Sequence, residues 1–252
     1  MFSSGFLVKE EFKMATVIFD VDDTLYDQLV PFKQAYEKNF SFRNIPIEEL
    51  FSLSRRYSDQ VFDKTTKGLL SLSDMQIYRI RNAFKHFGVA ITDEQGRNFQ
   101  IDYQMNQERI RLLPEMKDAL NSCSKNGIQL GIITNGPADH QMKKIKALGL
   151  NKWIPDTNIF VSGKLGFSKP DLKIFQYAEK AMRLNRETTY YVGDSFVNDI
   201  IGAQKAGWKA VWVNRRNSTK TDCDIIPDYI VNNHETMNRF IDSLICIEKQ
   251  SF

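Results

Sequence analysis

The chain has 252 residues, enough for one large domain or a domain carrying a sizeable insertion, and 42% of them are hydrophobic, an ordinary globular share. Its 34 basic and 31 acidic residues leave a formal charge of +3, too even a balance for nucleic acid or an anionic membrane to be the main partner. Cys123, Cys223 and Cys246 are odd in number, far apart and without CxxC spacing, which argues against a disulfide framework or a cysteine zinc site and suits a reducing cytoplasm.

Residues 1–13 hold only the apolar scrap Phe6-Leu7-Val8 before charges begin, so they read as neither a signal peptide nor a membrane anchor. Met14, directly before the first apolar run, is a candidate initiator that would make the preceding segment a frayed leader. Residues 15–19 are expected to form a buried strand. It runs into FDVDDTLYD, residues 19–27, which packs four aspartates into nine positions. Carboxylates this close resist ionising together, so a fold keeps them where a cation or a proton offsets the repulsion.

Residues 28–108 show no convincing strand and about four helical patterns, near 30–40, 47–64, 72–87 and 93–107. Ser73-Asp74 and Thr92-Asp93 are candidate starts for two of them. The stretch is far too long for a strand-to-helix loop and reads as an inserted four-helix domain, with 1–27 and 109–252 forming the core.

Beyond it, strand-like segments at 128–133, 158–161, 189–192, 210–213 and 229–231 are mostly separated by amphipathic helical stretches at 115–126, 139–147, 171–182 and 197–206. This alternation predicts an α/β fold, a mostly parallel sheet with helices on both faces. Gly127, Gly149 and Gly207 follow helices, where left-handed caps are expected.

In an open parallel sheet, ligands gather beyond the carboxyl ends of the strands. The chemically interesting groups fall at such ends: Asp20 and Asp22 after the first strand, Thr134-Asn135-Gly136 after the second, Lys169-Pro170 before the helix that follows the third, and Gly193-Asp194-Ser195 with Asp199 after the fourth. A donor set of carboxylates and carbonyls with no close histidine or cysteine suits a hard octahedral ion, Mg²⁺.

The series DVDDT, TNG, SKPD and GDSFVND resembles the haloacid dehalogenase superfamily of aspartate-nucleophile phosphohydrolases. The resemblance implies a Rossmann-like three-layer core whose helical insertion is a cap of that family's first type. It makes Asp20 the nucleophile and Asp22 the general acid and base. It places Mg²⁺ on the carboxylates of Asp20 and Asp194 and the main-chain carbonyl of Asp22, with Asp199 a further ligand or the group that orients a bound water. Thr134, Asn135 and Gly136 would bind the phosphoryl oxygens, and Lys169 would neutralise the nucleophile and the transferring group.

Asp22 favours the phosphatase branch, because halide needs no proton to leave. The expected substrate is a small phosphorylated metabolite, of nucleoside monophosphate or sugar phosphate type, with no nucleic-acid or membrane partner, and the enzyme is expected to be a cytoplasmic monomer or weak homodimer. A phosphomutase or dehalogenase of the same fold is the near alternative. A non-catalytic phospho-acceptor or binding protein is the alternative from another class.

Other residues take plainer readings. Asp23 and Asp27 are expected on the loop surface or the cap, Thr24 as a brace of the first loop, Ser195 as a loop hydroxyl. The pairs Arg55-Arg56 and Arg215-Arg216 read as solvated faces. His86, His140 and His234 read as surface or packing residues, His140 being the one best placed to approach the site. Tyr57, Phe62, Tyr78, Arg79, Arg81 and Phe84 lie at helical spacings, most of them core or solvated face.

Overall fold

The computed structural model describes residues 15–42, 44–219 and 224–250. The candidate initiator Met14, the segment before it and Cys223 lie outside the described residues. The first strand, β1 (Thr16–Phe19), is TVIF and buried throughout, as continuous apolar runs are when a strand is covered on both faces.

The chain then builds helices only: α1 (Leu29–Asn39), α2 (Ile47–Gln60), α3 (Phe62–Thr66), α4 (Leu72–His86) and α5 (Asp93–Gln107). The expected helix over 47–64 is broken at Val61, which buries its side chain, leaves helical backbone at φ −114° and ψ 7°, and closes a tight turn on the Ser58 carbonyl. Helix α4 starts two residues earlier than Ser73 suggests, because Ser71 caps it by accepting the Asp74 amide. Thr92 caps α5 as expected, in a reciprocal box with Gln95. These helices share an aromatic core of their own, in which Phe32 meets Phe99 edge-on at 5.0 Å and Phe40 meets Phe84 at 4.6 Å.

Past these helices, α6 (Pro114–Lys125), opened by a proline that has no amide to leave unpaired, leads to β2 (Gln129–Thr134), α7 (Ala138–Ala147) and β3 (Ile159–Val161). There follow α8 (Ser162–Leu165), α9 (Leu172–Met182, capped by Asp171), β4 (Thr189–Gly193), α10 (Gly202–Lys205), β5 (Lys209–Val213), β6 (Tyr229–Val231) and α11 (His234–Gln250), the last an element the sequence reading leaves out. The six strands form one sheet in the order β3-β2-β1-β4-β5-β6, with every pairing parallel. Alternate residues of β1 face opposite layers: Val17 and Phe19 pack with α6, α7 and α11, while Ile18 packs with α9 and α10. Three layers result. Gly127, Gly149 and Gly207 all take positive φ, as expected of helix ends.

The helix expected over 197–206 starts as a π-helical turn, Phe196–Ile201, before tightening into α10. The Ser195 amide donates to the buried carboxylate of Asp199 at 2.9 Å and the Ser195 hydroxyl accepts the Asn198 amide, while the Asp199 amide closes on the Ser195 carbonyl at 2.8 Å and the Ile200 amide reaches the same carbonyl at 3.4 Å, the five-residue step of a π-turn. Because β4 returns to the opposite side of β1 from β2, the sheet reverses its winding at β1. Asp20 stands at that reversal.

Candidate active site

Asp20 lies one residue beyond β1, where its amide donates to Val192 of β4 at 2.9 Å. Its carboxylate accepts from Lys169 Nζ at 2.8 Å, and the same ammonium reaches Asp199 at 2.6 Å and the Tyr191 hydroxyl at 2.7 Å. Tyr191 in turn donates to the Ile133 carbonyl at 2.8 Å, fixing the lysine between β2 and β4. One carboxylate oxygen from each of Asp20, Asp194 and Asp199 lies within 4.8 Å of the others.

Burial pushes the Asp20 carboxyl up to about 6 against the pull of Lys169, and the neighbouring carboxylates of Asp199 and Asp22 add to the rise. Burial, with Asp23, Asp199 and Asp20, holds Asp194 well above the usual carboxylate range. One lysine does not offset three clustered carboxylates, two of them buried, and their oxygen-only donor set fits a hard divalent cation such as Mg²⁺. Gly193 makes this packing feasible: a Cβ there would stand 2.3 Å from Asp199 Oδ2.

Asp22 is held from a different quarter. Lys144 Nζ donates to both its carboxylate oxygens, at 2.6 and 2.7 Å, Gln141 Nε2 adds 2.9 Å, and the Tyr26 hydroxyl closes from its own loop at 2.5 Å. Burial raises this carboxyl, but Lys144, Arg55 and the hydrogen bonds outweigh it and hold the group well below the usual range. Gln141 and Lys144 stand three apart on one face of α7, a spacing visible in the sequence whose partner is not.

The Thr134 hydroxyl, at the end of β2, is buried with no hydrogen-bond partner among the described residues, a donor left free for an incoming oxygen. The Asn135 side chain exchanges two 2.9 Å hydrogen bonds with the backbone of Lys169, which binds two of the expected stations into one unit. Gly136, at φ 143°, has its amide engaged by the Ser162 hydroxyl at 2.9 Å, so of the three expected phosphate donors it is the one already occupied. The Thr24 hydroxyl is likewise buried without a partner among the described residues, so the expected brace is not a hydrogen bond.

Several plain readings of the sequence are corrected. Asp23 and Asp27 are not free surface acids: Arg216 donates to Asp23 at 2.8 and 2.9 Å and to Asp27 at 2.6 Å, and its guanidinium lies 5.3 Å from the Phe51 ring of α2. Arg216 and its neighbour Arg215, which donates to the Asp23 carbonyl at 2.6 Å, are therefore not solvated faces. Arg55 lines two cavities between the helices and the sheet. One, of about 330 Å³, contains Asp20, Lys169, Asp194 and Asp199. The other, of about 420 Å³, runs from Asp22 and Lys144 to Arg79, Tyr103 and His140. His140 does approach the site: its Nε2 pairs with Gln107 at 3.0 Å, and burial together with the Lys144 charge pushes its pKa down to about 4. His86 and His234 stay at the surface against Glu49 and Asp118. Tyr191, Gln141, Lys144, Tyr26 and Ser162 are contributors that the motifs do not reveal.

A parallel α/β core with catalytic-type carboxylates gathered at its strand ends defines a hydrolase-type architecture. Residues 17–213 match the model of the haloacid dehalogenase-like hydrolases, and the chain belongs to that family of hydrolytic enzymes. It is 27% identical over 233 residues to the HAD-hydrolase YfnB of Bacillus subtilis, covering 90% of this chain and 95% of YfnB. The crystal structure of YfnB bound to magnesium superimposes with a TM-score of 0.68, at 25% identity over 91% of this chain and 99% of that one. A phosphoserine phosphatase of Thermus thermophilus is 27% identical over 228 residues (80% and 89% coverage), and an (S)-2-haloacid dehalogenase of Pseudomonas putida is 26% identical over 238 residues (89% and 95%). No helix among the described residues is long and apolar enough to cross a membrane.

Proposed function

We propose that this enzyme is a Mg²⁺-dependent phosphatase that hydrolyses a small phosphorylated metabolite, of nucleoside monophosphate or sugar phosphate type, through an aspartyl phosphate on Asp20. The observation that carries the reading is the pairing of two acids in different settings two residues apart: Asp20 against Lys169 in the carboxylate cluster, and Asp22 outside that cluster on the leaving-group side. A dehalogenase has no use for the second acid. Similarity to a phosphoserine phosphatase supports the same branch.

In this scheme an Asp20 oxygen attacks phosphorus, the bond to the ester oxygen breaks, and the alkoxide takes the proton carried by Asp22. The arriving phosphoryl dianion favours protonation of Asp22, since a second negative charge opposes ionisation of the first. Once the alcohol has left, the ionised Asp22, held in orientation by Lys144 and Gln141, accepts a proton from the water that attacks the acyl phosphate. Phosphate leaves and Asp20 is restored. Thr134 donates its free hydroxyl to a phosphoryl oxygen, and Lys169, whose three donors hold Asp20, Asp199 and Tyr191, supplies fixed positive charge beside the nucleophile and the transferring group. Asp20, Asp194 and the Asp22 carbonyl would hold Mg²⁺, with Asp199 a fourth ligand or the group that orients a bound water; when bound, the ion supplies neutralising charge for the phosphoryl oxygens. Residues 28–108 act as a cap that selects the leaving group and excludes water.

The test is phosphate release by purified protein with Mg²⁺ from nitrophenyl phosphate and a panel of phosphorylated metabolites. Release that Asp20→Asn abolishes supports the reading. Release of halide from haloacids, with none of phosphate, refutes it.

A further inference from the structure

We propose that the preferred ester carries a second oxyanion on its leaving group, a carboxylate or a further phosphate, held by Arg79 with Arg55 beside it. The inference rests on the phosphatase reading, because that reading decides which cavity receives which end of the substrate. Phosphorus must lie against Asp20 and Lys169, in the smaller cavity, and the leaving oxygen against Asp22. The remainder of the ester then extends past Asp22 into the cavity of about 420 Å³ bounded by Arg55, Arg79, Tyr103, Gln107 and His140.

The cations of that cavity are not equally paired. Its lining holds the carboxylates of Asp22 and Asp59 with the cations of Arg55, Arg79 and Lys144; Arg55 also faces the smaller cavity and is held charged by Asp59, Asp22 and Asp194, whereas withdrawal from water outweighs the nearby charges at Arg79 and pushes it below the ordinary guanidinium value. Lys144 is consumed by Asp22. Arg79 donates once, from Nη2 to Gln100 Oε1 at 2.9 Å, and its guanidinium carbon lies 5.8 Å from the centre of the Tyr103 ring. Among the described residues neither Arg79 nor Arg55 forms an ion pair within 4.0 Å, and Arg55 donates no hydrogen bond to a protein group.

A guanidinium carries five donors in a rigid planar fork, and withdrawing it from water is costly unless an acceptor replaces the water. Two such forks on adjacent helices, α2 and α4, with most of their donors free, match the two in-plane oxygens of a carboxylate or the several oxygens of a phosphate. A neutral sugar or alcohol would offer hydroxyl oxygens but leave Arg79 without an ion partner.

The experiment compares kcat/KM of the Mg²⁺-loaded wild type within matched pairs: 3-phosphoglycerate against glycerol 3-phosphate, which differ by a carboxylate in place of a hydroxymethyl, and fructose 1,6-bisphosphate against fructose 6-phosphate. The charged member of at least one pair is expected to be preferred by roughly tenfold or more, the effect of one charge-assisted contact, and mainly through KM. The pair that shows the preference identifies carboxylate or phosphate as the anion. Arg79→Gln should bring that ratio towards one, and Arg79→Lys should recover part of it, as a charge without the fork would. Release from nitrophenyl phosphate with a ratio near one in both pairs, or a nucleoside monophosphate with a neutral sugar preferred over every charged ester, overturns the second-oxyanion inference while the phosphatase reading stands. Absence of phosphate release from every ester overturns both. The wild-type ratios decide the matter even where an Arg79 variant does not fold.

Discussion

Replacing Lys144 by methionine keeps the length of the side chain and removes its charge, leaving Asp22 buried without its main partner. Lys144 is 3% exposed and the Asp22 side chain 14%, and the contacts of 2.6 and 2.7 Å correspond to a Coulomb attraction of about 6 kcal/mol at an effective dielectric of about 20. Part of that attraction offsets the cost of taking both charges from water, yet the variant suffers the full loss, because the charge on Asp22 stays behind. Breaking one side of a buried pair costs about 3 to 5 kcal/mol, which for a chain of this size lowers Tm by roughly 6 to 20 °C.

The assay is urea unfolding at pH 7 followed by tryptophan fluorescence, for the parent, Lys144→Met, Asp22→Asn and the double variant. The double variant should be more stable than the sum of the single losses predicts, since no lone charge remains. The pH dependence has a definite sign. The folded-state pKa of Asp22 is depressed, so the contribution of the pair is complete above the unfolded carboxyl value of about 4 and is lost only as pH falls towards the folded value. The lone Asp22 of Lys144→Met protonates far more readily, so the gap between variant and parent is widest at neutral pH and closes on acidification. A loss under about 1 kcal/mol, or a coupling under about 0.5 kcal/mol in the cycle, would refute the claim that this pair fixes Asp22 in place.

Asp20→Asn should fold normally and release no phosphate, because an amide is no anionic nucleophile; turnover near the parent's in a folded variant rules out Asp20 as the attacking group. Chelation of divalent cations should abolish activity and Mg²⁺ restore it, with Ca²⁺ inhibiting through its looser, higher coordination, and full activity in chelator contradicts the reading of the carboxylate cluster. Gly193→Ala places a methyl 2.3 Å from Asp199 Oδ2 and 2.6 Å from its Cβ, so it should cost about 1 to 3 kcal/mol and raise the Mg²⁺ concentration needed for half-maximal rate. A Gly193→Ala protein with parental stability and metal requirement means that Asp199 has room the packing does not show.

The four stations were legible in the sequence because each sits at a strand end, where chain topology alone decides convergence: once β1, β2 and β4 were recognised as parallel neighbours, Asp20, Thr134 and Asp194 had to share one edge. The partners that hold them were not legible. Lys144 stands 122 positions from Asp22 and Arg216 193 from Asp23, and on their own helix or loop each looks like any solvated cation; only the packing of α7 and of the loop after β5 turns them inward. At 197–206 apolar periodicity promises an ordinary helix, but the first turn is wider: the Ile200 amide reaches back to the Ser195 carbonyl while the buried Asp199 carboxylate holds the Ser195 amide. The break at Val61 had no breaker residue to announce it.

Arg216 bears on how such enzymes can be recombined. It stands on the core after β5, grips Asp23 in the first motif and Asp27 at the threshold of the helical segment, and lies against Phe51 within that segment. A chimaera that exchanges residues 28–108 for the corresponding helices of another protein keeps both carboxylates and discards the ring, so the arginine stays tethered on one side and loses its seat on the other. The foreign helices would then meet the core without the ring that Arg216 lies against in this chain. Crossovers that keep Phe51, or supply an aromatic residue at its place on α2, are the ones in which the exchanged helices should keep that contact with the core.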